Sequence, residues 1–190
     1  MTSAPKLARK AAGTASAPRT RKTSNGPTAL LRQPAASLGP RANRTIERIL
    51  DATREVFLTH GYAGTTIDEV AKAAGLSRGS FYTYFPTKRD VLLAVGAHSA
   101  AESAAVVDKI ALLEPSLAAL VEWVDQYFEV LETHGAFAFA WTQAARQDDE
   151  IRIAGIKGHL RLCERLGKAL GALGGRTIDD PVIVGLTAFS

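Results

Sequence analysis

The chain has 190 residues, of which 46% are hydrophobic and 22% charged, as in ordinary soluble proteins. Its net charge of +4 is unevenly spread, because residues 1–44 carry nine basic and no acidic residues. The longest stretch without a charged residue, Thr133–Ala145, has thirteen residues, fewer than the roughly 18 to 20 of a membrane-spanning helix. A single cysteine, Cys163, excludes an internal disulfide. We therefore expect a cytoplasmic protein that is neither secreted nor embedded in a membrane.

Residues 1–44 are rich in Ala, Pro, Ser, Thr and Gly and contain no aromatic residue. Such a composition buries too little apolar surface to offset the entropy of ordering, so we interpret the segment as a disordered basic arm. A cationic arm, with Arg44 at its end, can neutralise DNA phosphates without sequence preference. It can also be a solubilising extension, and the sequence leaves both interpretations open.

After Arg44, apolar residues recur with a period of about 3.6 and strand-type alternation is absent, which predicts an all-α protein. A first helix has Ile49 and Phe57 on its apolar face and ends at Gly61. Polar residues then mark the starts of three further helices, of which the third is short and the fourth runs towards Ile110. The residues predicted to cap these helices are Thr66 (with Glu69 in a capping box), Ser77 and Thr87.

The segment from Ile67 to Phe85 has the pattern of a helix-turn-helix, whose second helix enters the major groove of DNA. Ala71 is small where the two helices cross, and Gly75 accepts the positive backbone angle of the turn. The second of these helices begins with compact polar residues that can approach base edges, namely Ser77, Arg78, Gly79 and Ser80. Among them, Arg78 can form a bidentate contact with guanine.

Hydroxyl and ammonium groups near this helix are placed to contact backbone phosphates. They belong to Thr65 or Thr66, Tyr82, Thr83, Tyr84 and Lys88. The tyrosines can also be core aromatics, and for Tyr84 helical spacing alone does not decide between the core and DNA.

The C-terminal half also reads as helical. A helix starting at Pro115 or Ser116 carries an apolar stripe, and Gly135 is expected to separate it from a shorter buried segment. Asp148 or Asp149 then caps a long helix that ends near Gly174.

Aromatic residues are concentrated in this half and can line an apolar ligand pocket between helices. The candidates are Trp123, Tyr127, Phe137, Phe139 and Trp141. Ordinary core packing is the alternative for each of them.

Enzymatic and metal-binding functions find little support. His159 and Cys163 lie four residues apart on one helix face, a spacing that suits two metal ligands or an activated thiol. Two groups are too few for a metal site, and Cys163 falls on an apolar stripe where cysteine behaves as a small hydrophobe. Phosphate-binding loops and hydrolase or zinc-protease motifs are absent from the sequence. We expect a protein that is not an enzyme and that has neither a cofactor nor a bound metal. A redox or metal sensor at Cys163 is a minor alternative.

The run "TTIDEVAKAAGLSRGSFYTYFPTKRDVLLAV", preceded by "ILDATREVFLTHGYAGTT", resembles the DNA-binding head of TetR-family transcriptional regulators. The resemblance covers about 50 residues, Thr45 to Val95. It implies a helical homodimer that binds a palindromic operator and commonly represses transcription until a small molecule enters its C-terminal domain. It also implies base contacts from Ser77, Arg78 and Ser80.

The prediction is a three-helix DNA-binding head, residues 45–92, joined by a long fourth helix to a ligand-binding and dimerisation domain, residues 93–190. We expect a ligand-responsive repressor that binds double-stranded DNA as a homodimer and takes a small apolar or aromatic ligand. It would be cytoplasmic, and associated with the nucleoid when bound to DNA. The alternative is a weakly specific, architectural DNA-binding protein dominated by the arm. Asp180 and Pro181 read as the start of a further helix, and we expect this C-terminal element to be truncated at Ser190.

Overall fold

The computed structural model describes residues 39–189, apart from the side chain of Ala136. These residues form helices and no strand, which confirms the all-α prediction. We number the α-helices in chain order, with a short 3-10 helix, Ile110–Leu112, between the fourth and the fifth. They are α1 (Pro40–Gly64), α2 (Ile67–Ala73), α3 (Arg78–Tyr84), α4 (Lys88–Lys109), α5 (Leu117–Ala145), α6 (Asp149–Leu173) and α7 (Pro181–Ala188).

The first helix begins earlier than predicted. Pro40 occupies its first turn behind an extended Gly39, so residues 40–44, assigned above to a disordered arm, are helical. Proline suits this position because its fixed φ is already helical and its missing N–H would have no partner there. The rest of the predicted arm, residues 1–38, lies outside the described residues.

The other helix starts and ends predicted within the head are confirmed. The regular part of α1 ends at Gly61, which has a φ of 64°. Thr66 and Glu69 form the complete capping box at the start of α2. Ser77 caps α3 and Thr87 caps α4, each accepting a hydrogen bond from the backbone N–H three residues later.

Two apolar clusters stabilise the fold, and α4 contributes to both. The larger cluster packs α1, α2 and α3 against the start of α4 and the C-terminal end of α5. The smaller one lies between the end of α4, the first half of α5 and α6. By length and composition, α4 with the following 3-10 helix is the one helix in residues 39–189 that could span a membrane. Its buried apolar residues are divided between these two clusters.

Helix α5 differs from the prediction in two ways. It runs without interruption through Gly135, because a single glycine costs a helix only about 1 kcal/mol relative to alanine and packing outweighs that. Most of its predicted apolar stripe faces outward, since Leu117 is 77% and Phe128 58% exposed. The residues predicted for this stripe are Leu117, Leu120, Val121, Val124, Phe128 and Leu131. The buried face lies beside it, and includes Trp123 and Phe137.

The last two helices cross very closely. A Cβ atom added at Gly167 of α6 would lie 2.0 Å from the carbonyl oxygen of Pro181, and one added at Gly185 of α7 would lie 1.9 Å from that of Cys163. Only glycine allows two helix backbones to lie so close together. Asp180 caps α7, with its side chain accepting from the N–H of Ile183 at 3.1 Å, as predicted.

Candidate DNA-binding surface and ligand cavity

The turn between α2 and α3 has the geometry that the sequence predicts. Gly75 has a φ of 64°, and the N–H of Leu76 donates to the carbonyl oxygen of Ala71 at 2.8 Å. Ala71 is 2% exposed at the crossing of the two helices, and Phe81 of α3 is fully buried. The core therefore holds α3 by Phe81 and leaves the opposite face of this helix in solvent.

The start of α3 presents a compact polar surface. Ser77 accepts a hydrogen bond from the N–H of Ser80 at 3.1 Å, and the two hydroxyl oxygens are 2.8 Å apart. Ser77, Arg78, Gly79 and Ser80 are all exposed. Since none of the three small residues projects far from the helix, bases could approach the backbone here.

Arg78 is already held on both sides. Its guanidinium donates to Oδ2 of Asp68 at 2.7 Å and to the hydroxyl of Tyr82 at 3.2 Å. The hydrogen bond to Tyr82 and the charge of Asp68 raise the pKa of Arg78. Asp68 does not stand out in the sequence, because an acidic residue in the first turn of a helix ordinarily only complements the helix dipole. The crossing of α2 and α3 is what brings it to Arg78.

Two residues predicted as phosphate contacts, Thr65 and Lys88, have partners within the head. Thr65 is 3% exposed and its hydroxyl donates to the carbonyl oxygen of Gly61 at 2.7 Å, so the hydroxyl predicted to contact phosphate is engaged inside the head. The ammonium group of Lys88 donates to the carbonyl oxygens of Tyr62 and Thr65 at 2.7 and 2.9 Å. Burial lowers the pKa of Lys88. Lys88 thus closes the C-terminal end of α1 and keeps one of its three N–H groups for other partners.

The remaining candidate phosphate contacts are exposed or half-buried. Thr66 is exposed, and its hydroxyl donates to Oε2 of Glu69 at 2.8 Å. Thr83 is exposed as well, and its hydroxyl donates to the carbonyl oxygen of Gly79 at 3.3 Å. The half-buried Tyr82 and Tyr84 pack against the larger cluster, and Arg44 is exposed on α1.

A cavity of about 540 Å³ lies between α4, α5 and α6. Of the five aromatic residues predicted to line a pocket, Phe137 and Trp141 do so. Trp123 and Tyr127 instead stack on each other, with ring centroids 5.5 Å apart, within the smaller cluster. Phe139 is 61% exposed. The structure therefore does not bring the five residues together, because they lie on different faces of α5.

Trp141 occupies a slot between two glycines. A Cβ atom added at Gly96 of α4 or at Gly155 of α6 would lie 2.5 Å from atoms of its indole ring. Neither glycine stood out in the sequence, because a glycine within a helix indicates close packing only when its neighbour is known. The indole thus rests directly on the backbones of two of the three helices around the cavity.

Polar contacts fasten the head to α5 and α6. The N–H of Tyr62, just after the end of the regular part of α1, donates to Oε1 of Gln143 at 2.9 Å. Arg89, in the first turn of α4, binds Asp148 at 2.5 Å and also Glu150. The guanidinium lowers the pKa of Asp148, which caps α6 as well. The start of α6 is therefore tied to the start of α4.

No third potential metal ligand joins the pair formed by His159 and Cys163 within the part of the chain that the structure describes. Sγ of Cys163 lies 3.6 Å from Nε2 of His159, and burial raises the pKa of the thiol. Within residues 39–189, no group of three or more His, Cys, Asp or Glu side chains is placed to hold a metal ion. Packing against α7 accounts for the buried cysteine.

Comparisons with known proteins agree with this geometry. Residues 49–95 match the family model described as "Bacterial regulatory proteins, tetR family". The HTH-type transcriptional repressor AcnR of Corynebacterium efficiens is 30% identical over 128 residues, which cover 60% of this chain and 68% of that relative. AcnR of Corynebacterium glutamicum is 30% identical over 111 residues, and the match spans 54% of this chain but only 59% of the relative.

Solved structures show the same fold. The TetR-family transcriptional regulator PfmR from Thermus thermophilus superposes with a TM-score of 0.58 at 25% identity, covering 75% of this chain and 81% of PfmR. A regulatory protein TetR from Rhodobacter sphaeroides superposes with a TM-score of 0.56 at 28% identity, covering 75% of this chain and 82% of that one. The similarity thus extends beyond the head into the C-terminal helices.

Proposed function

The chain belongs to the TetR family of DNA-binding transcriptional regulators, and we propose that it is a repressor which binds a palindromic operator as a homodimer and releases it when a small molecule binds. It is a regulator and not an enzyme, as its relatives are. We take residues 45–92 as its DNA-binding domain and residues 93–190 as its ligand-binding and dimerisation domain. The architectural alternative is not favoured, because the matching relatives are named as transcriptional regulators.

Sequence is read by α3, and the exposed start of this helix is the observation that carries the proposal. Arg78 contacts a guanine edge, and Ser77 and Ser80 approach bases beside it. Gly79 allows close approach of the backbone. Phosphates are held around this helix by groups that fix its register but carry no sequence information. We assign that part to Thr66, Tyr82, Thr83, Tyr84, Arg44 and the remaining N–H of Lys88.

A homodimer is needed because half-sites one helical turn apart are read by two recognition helices. The structure offers apolar surface for it: Ile183 is 60% exposed on α7, and Ile156 is 52% exposed on the neighbouring α6. Monomeric soluble proteins rarely expose contiguous apolar patches of large size. We propose that a second copy covers this surface.

The cavity between α4, α5 and α6 is the proposed ligand site. Its volume of about 540 Å³ is within the usual range for small-molecule pockets. Glycine and alanine from all three helices form much of its wall, beside Phe137 and Trp141, and no carboxylate lines it. The lining residue with a permanent charge is Arg161. We therefore propose an apolar or aromatic ligand that is neutral or anionic.

Ligand binding would change operator affinity through the contacts that fasten the head. Trp141 lines the cavity, and Gln143, two residues further along α5, holds the N–H of Tyr62. A shift of α5 against α4 would therefore move the end of α1 and alter the separation of the two heads. Free protein would be cytoplasmic, and DNA-bound protein would be associated with the nucleoid.

The experiment compares Arg78→Ala with Arg165→Ala on an operator selected from random DNA. Arg165 is a matched control, since it is also exposed and paired with an aspartate, Asp108. We expect Arg78→Ala to weaken operator binding on the order of tenfold or more and to relax specificity at one base pair. Arg165→Ala should leave both unchanged. A uniform loss on all DNA sequences would contradict base reading by Arg78.

A further inference from the structure

A row of polar side chains, hydrogen-bonded from Ser99 to Glu102 and ending in an ion pair, connects the cavity wall with the first helix of the head. In the wall, the hydroxyl oxygen of Ser99 lies 3.0 Å from Nδ1 of His134. Nε2 of His134 lies 2.7 Å from Oε2 of Glu102, and that same oxygen lies 3.9 Å from Nη2 of Arg54. The row thus passes from α5 through α4 to α1.

The carboxylate sets the direction of these hydrogen bonds. Because Glu102 accepts from Nε2 of His134, this nitrogen carries a hydrogen, and Nδ1 of the neutral ring is the acceptor. Burial lowers the pKa of His134 below its usual 6.5, so the ring is neutral at pH 7. Ser99 therefore donates to Nδ1. A hydrogen-bond donor on a molecule in the cavity would compete with Ser99 for this nitrogen.

Arg54 is incompletely paired at the other end of the row. Its Nη1 donates to Asp51 at 2.7 Å, and its Nη2 lies 2.8 Å from Nδ1 of His98. Its Nε is buried and has no hydrogen-bond partner among the described residues. A buried donor without an acceptor is costly, and a carboxylate is the acceptor that satisfies a guanidinium best. The carboxylate on another helix that comes within 4 Å of Arg54 is that of Glu102, whose Oε2 is engaged with His134 and whose Oε1 lies 3.5 Å from Nδ1 of His98.

We propose that Glu102 is a positioning residue with two alternative partners, His134 when the cavity is empty and Arg54 when it is occupied. This inference rests on the proposed function and describes how a ligand in the same cavity affects the DNA-binding head. An occupant that takes Nδ1 of His134 from Ser99 holds the ring where Nε2 no longer reaches Glu102, and the carboxylate then closes on Nε and Nη2 of Arg54. Since Arg54 belongs to α1 and Glu102 to α4, the exchange changes how firmly the head is held on α4. A ligand shifts such an equilibrium only by contacting one state better.

The occupant must therefore carry a hydrogen-bond donor, such as a hydroxyl or amide N–H, that can reach Nδ1 of His134. The rest of the molecule is apolar, because Phe137, Trp141 and Leu162 face it. A cationic donor is disfavoured, since no carboxylate lines the cavity and Arg161 does.

The experiment releases Glu102 without a ligand, by His134→Phe, which keeps a ring but removes both nitrogens. Operator affinity of the full chain is measured in three backgrounds: wild type, Glu102→Gln and, as a matched control, Glu129→Gln at an exposed position of α5. We expect His134→Phe to change affinity about fivefold or more in the wild type and in the control, but less than about twofold with Glu102→Gln. Equal changes in all three backgrounds would overturn the proposal.

A second measurement needs neither operator nor ligand. The NMR signal of the Arg54 Nε–H reports directly whether this donor has an acceptor. In His134→Phe we expect it to move downfield and to exchange more slowly with solvent, and in the double variant with Glu102→Gln to stay as in the wild type. An unchanged signal in His134→Phe overturns the proposal. If no DNA sequence is preferred, the proposed function fails, while this signal still decides the role of Glu102. His134→Leu serves the same comparison if the phenylalanine variant does not fold.

Discussion

The backbone N–H of Tyr62 donates to Oε1 of Gln143 at 2.9 Å, across 81 positions of the sequence. The contact joins the end of the regular part of α1 to the C-terminal end of α5. Gly61 lies so close to this amide that an added Cβ atom would be 2.7 Å from the same oxygen. The head and the helices around the cavity are thus held together at this point.

Removing the side-chain amide of Gln143 should loosen this junction between the head and α5. We expect Gln143→Ala to lower the free energy of unfolding by about 1 to 3 kcal/mol, because it leaves the partly buried N–H of Tyr62 without an acceptor. Gln147→Ala, at an exposed position two residues beyond the end of α5, is the control and should cost less than about 0.5 kcal/mol. Urea denaturation measures both. Equal stability of the two variants would show that the contact does not hold the head.

Asp68 should restrain Arg78 in the absence of DNA. In Asp68→Asn the guanidinium loses a charged partner and the surface loses a negative charge that repels phosphates. We expect affinity for random DNA to rise by up to about fivefold, the range expected for exposed ion pairs, and the ratio of operator to random-DNA affinity to fall. Asp108→Asn removes the partner of Arg165 and should change neither quantity. Fluorescence anisotropy at fixed salt concentration measures the affinities for operator and random DNA. A rise in the ratio of operator to random-DNA affinity in Asp68→Asn would contradict the restraint of Arg78 by Asp68.

The close crossing of α6 and α7 should tolerate no side chain. We expect Gly185→Ala to lower the free energy of unfolding by about 1 to 3 kcal/mol or more, because its Cβ meets backbone atoms that cannot move aside. Gly158→Ala is the contrasting variant, since nothing lies within 4 Å of its Cβ position. Alanine there should stabilise α6 by up to about 1 kcal/mol. Thermal denaturation compares Gly185→Ala with Gly158→Ala. Similar melting temperatures of the two variants would contradict a close backbone contact between α6 and α7 at Gly185.

Stability should depend on pH through His134. Burial lowers the pKa of His134 in the folded state below the 6.5 of the unfolded chain, so below pH 6.5 the unfolded state binds more protons. The free energy of unfolding should therefore fall as the pH drops below about 6.5, and level off below the folded-state pKa. His134→Phe should remove this part of the slope. Urea denaturation between pH 5 and 7.5 tests it, and an unchanged slope in His134→Phe would assign the effect to other groups.

Local signals in the sequence predict the head well. The capping of α2 by Thr66 and of α3 by Ser77 depends on residues three positions apart, and the turn at Gly75 needs one glycine. Such features are complete within a short stretch of chain, so the sequence contains all that determines them. The start of α1 was missed because charge and composition outweighed the helix-starting role of Pro40.

Contacts between distant helices could not be predicted in this way. Periodicity shows that α5 has an apolar stripe but not that the stripe faces solvent and its neighbouring face the core. The burial of Thr65, the pairing of Arg78 with Asp68 and the slot for Trp141 depend on how helices cross. The sequence therefore predicts α3 and the turn before it, whereas the cavity and its connection to the head required the structure.

Selection of bound sites from a pool of random double-stranded DNA by the full chain tests the central claim most directly. A homodimer that reads each half-site with the start of α3 should enrich one palindromic sequence, and Arg78→Ala should relax the preference at a symmetric pair of positions. Enrichment of a palindrome in the wild type, together with that loss, is the result we predict. A pool in which no sequence is enriched, although the protein is folded and binds DNA, would contradict it.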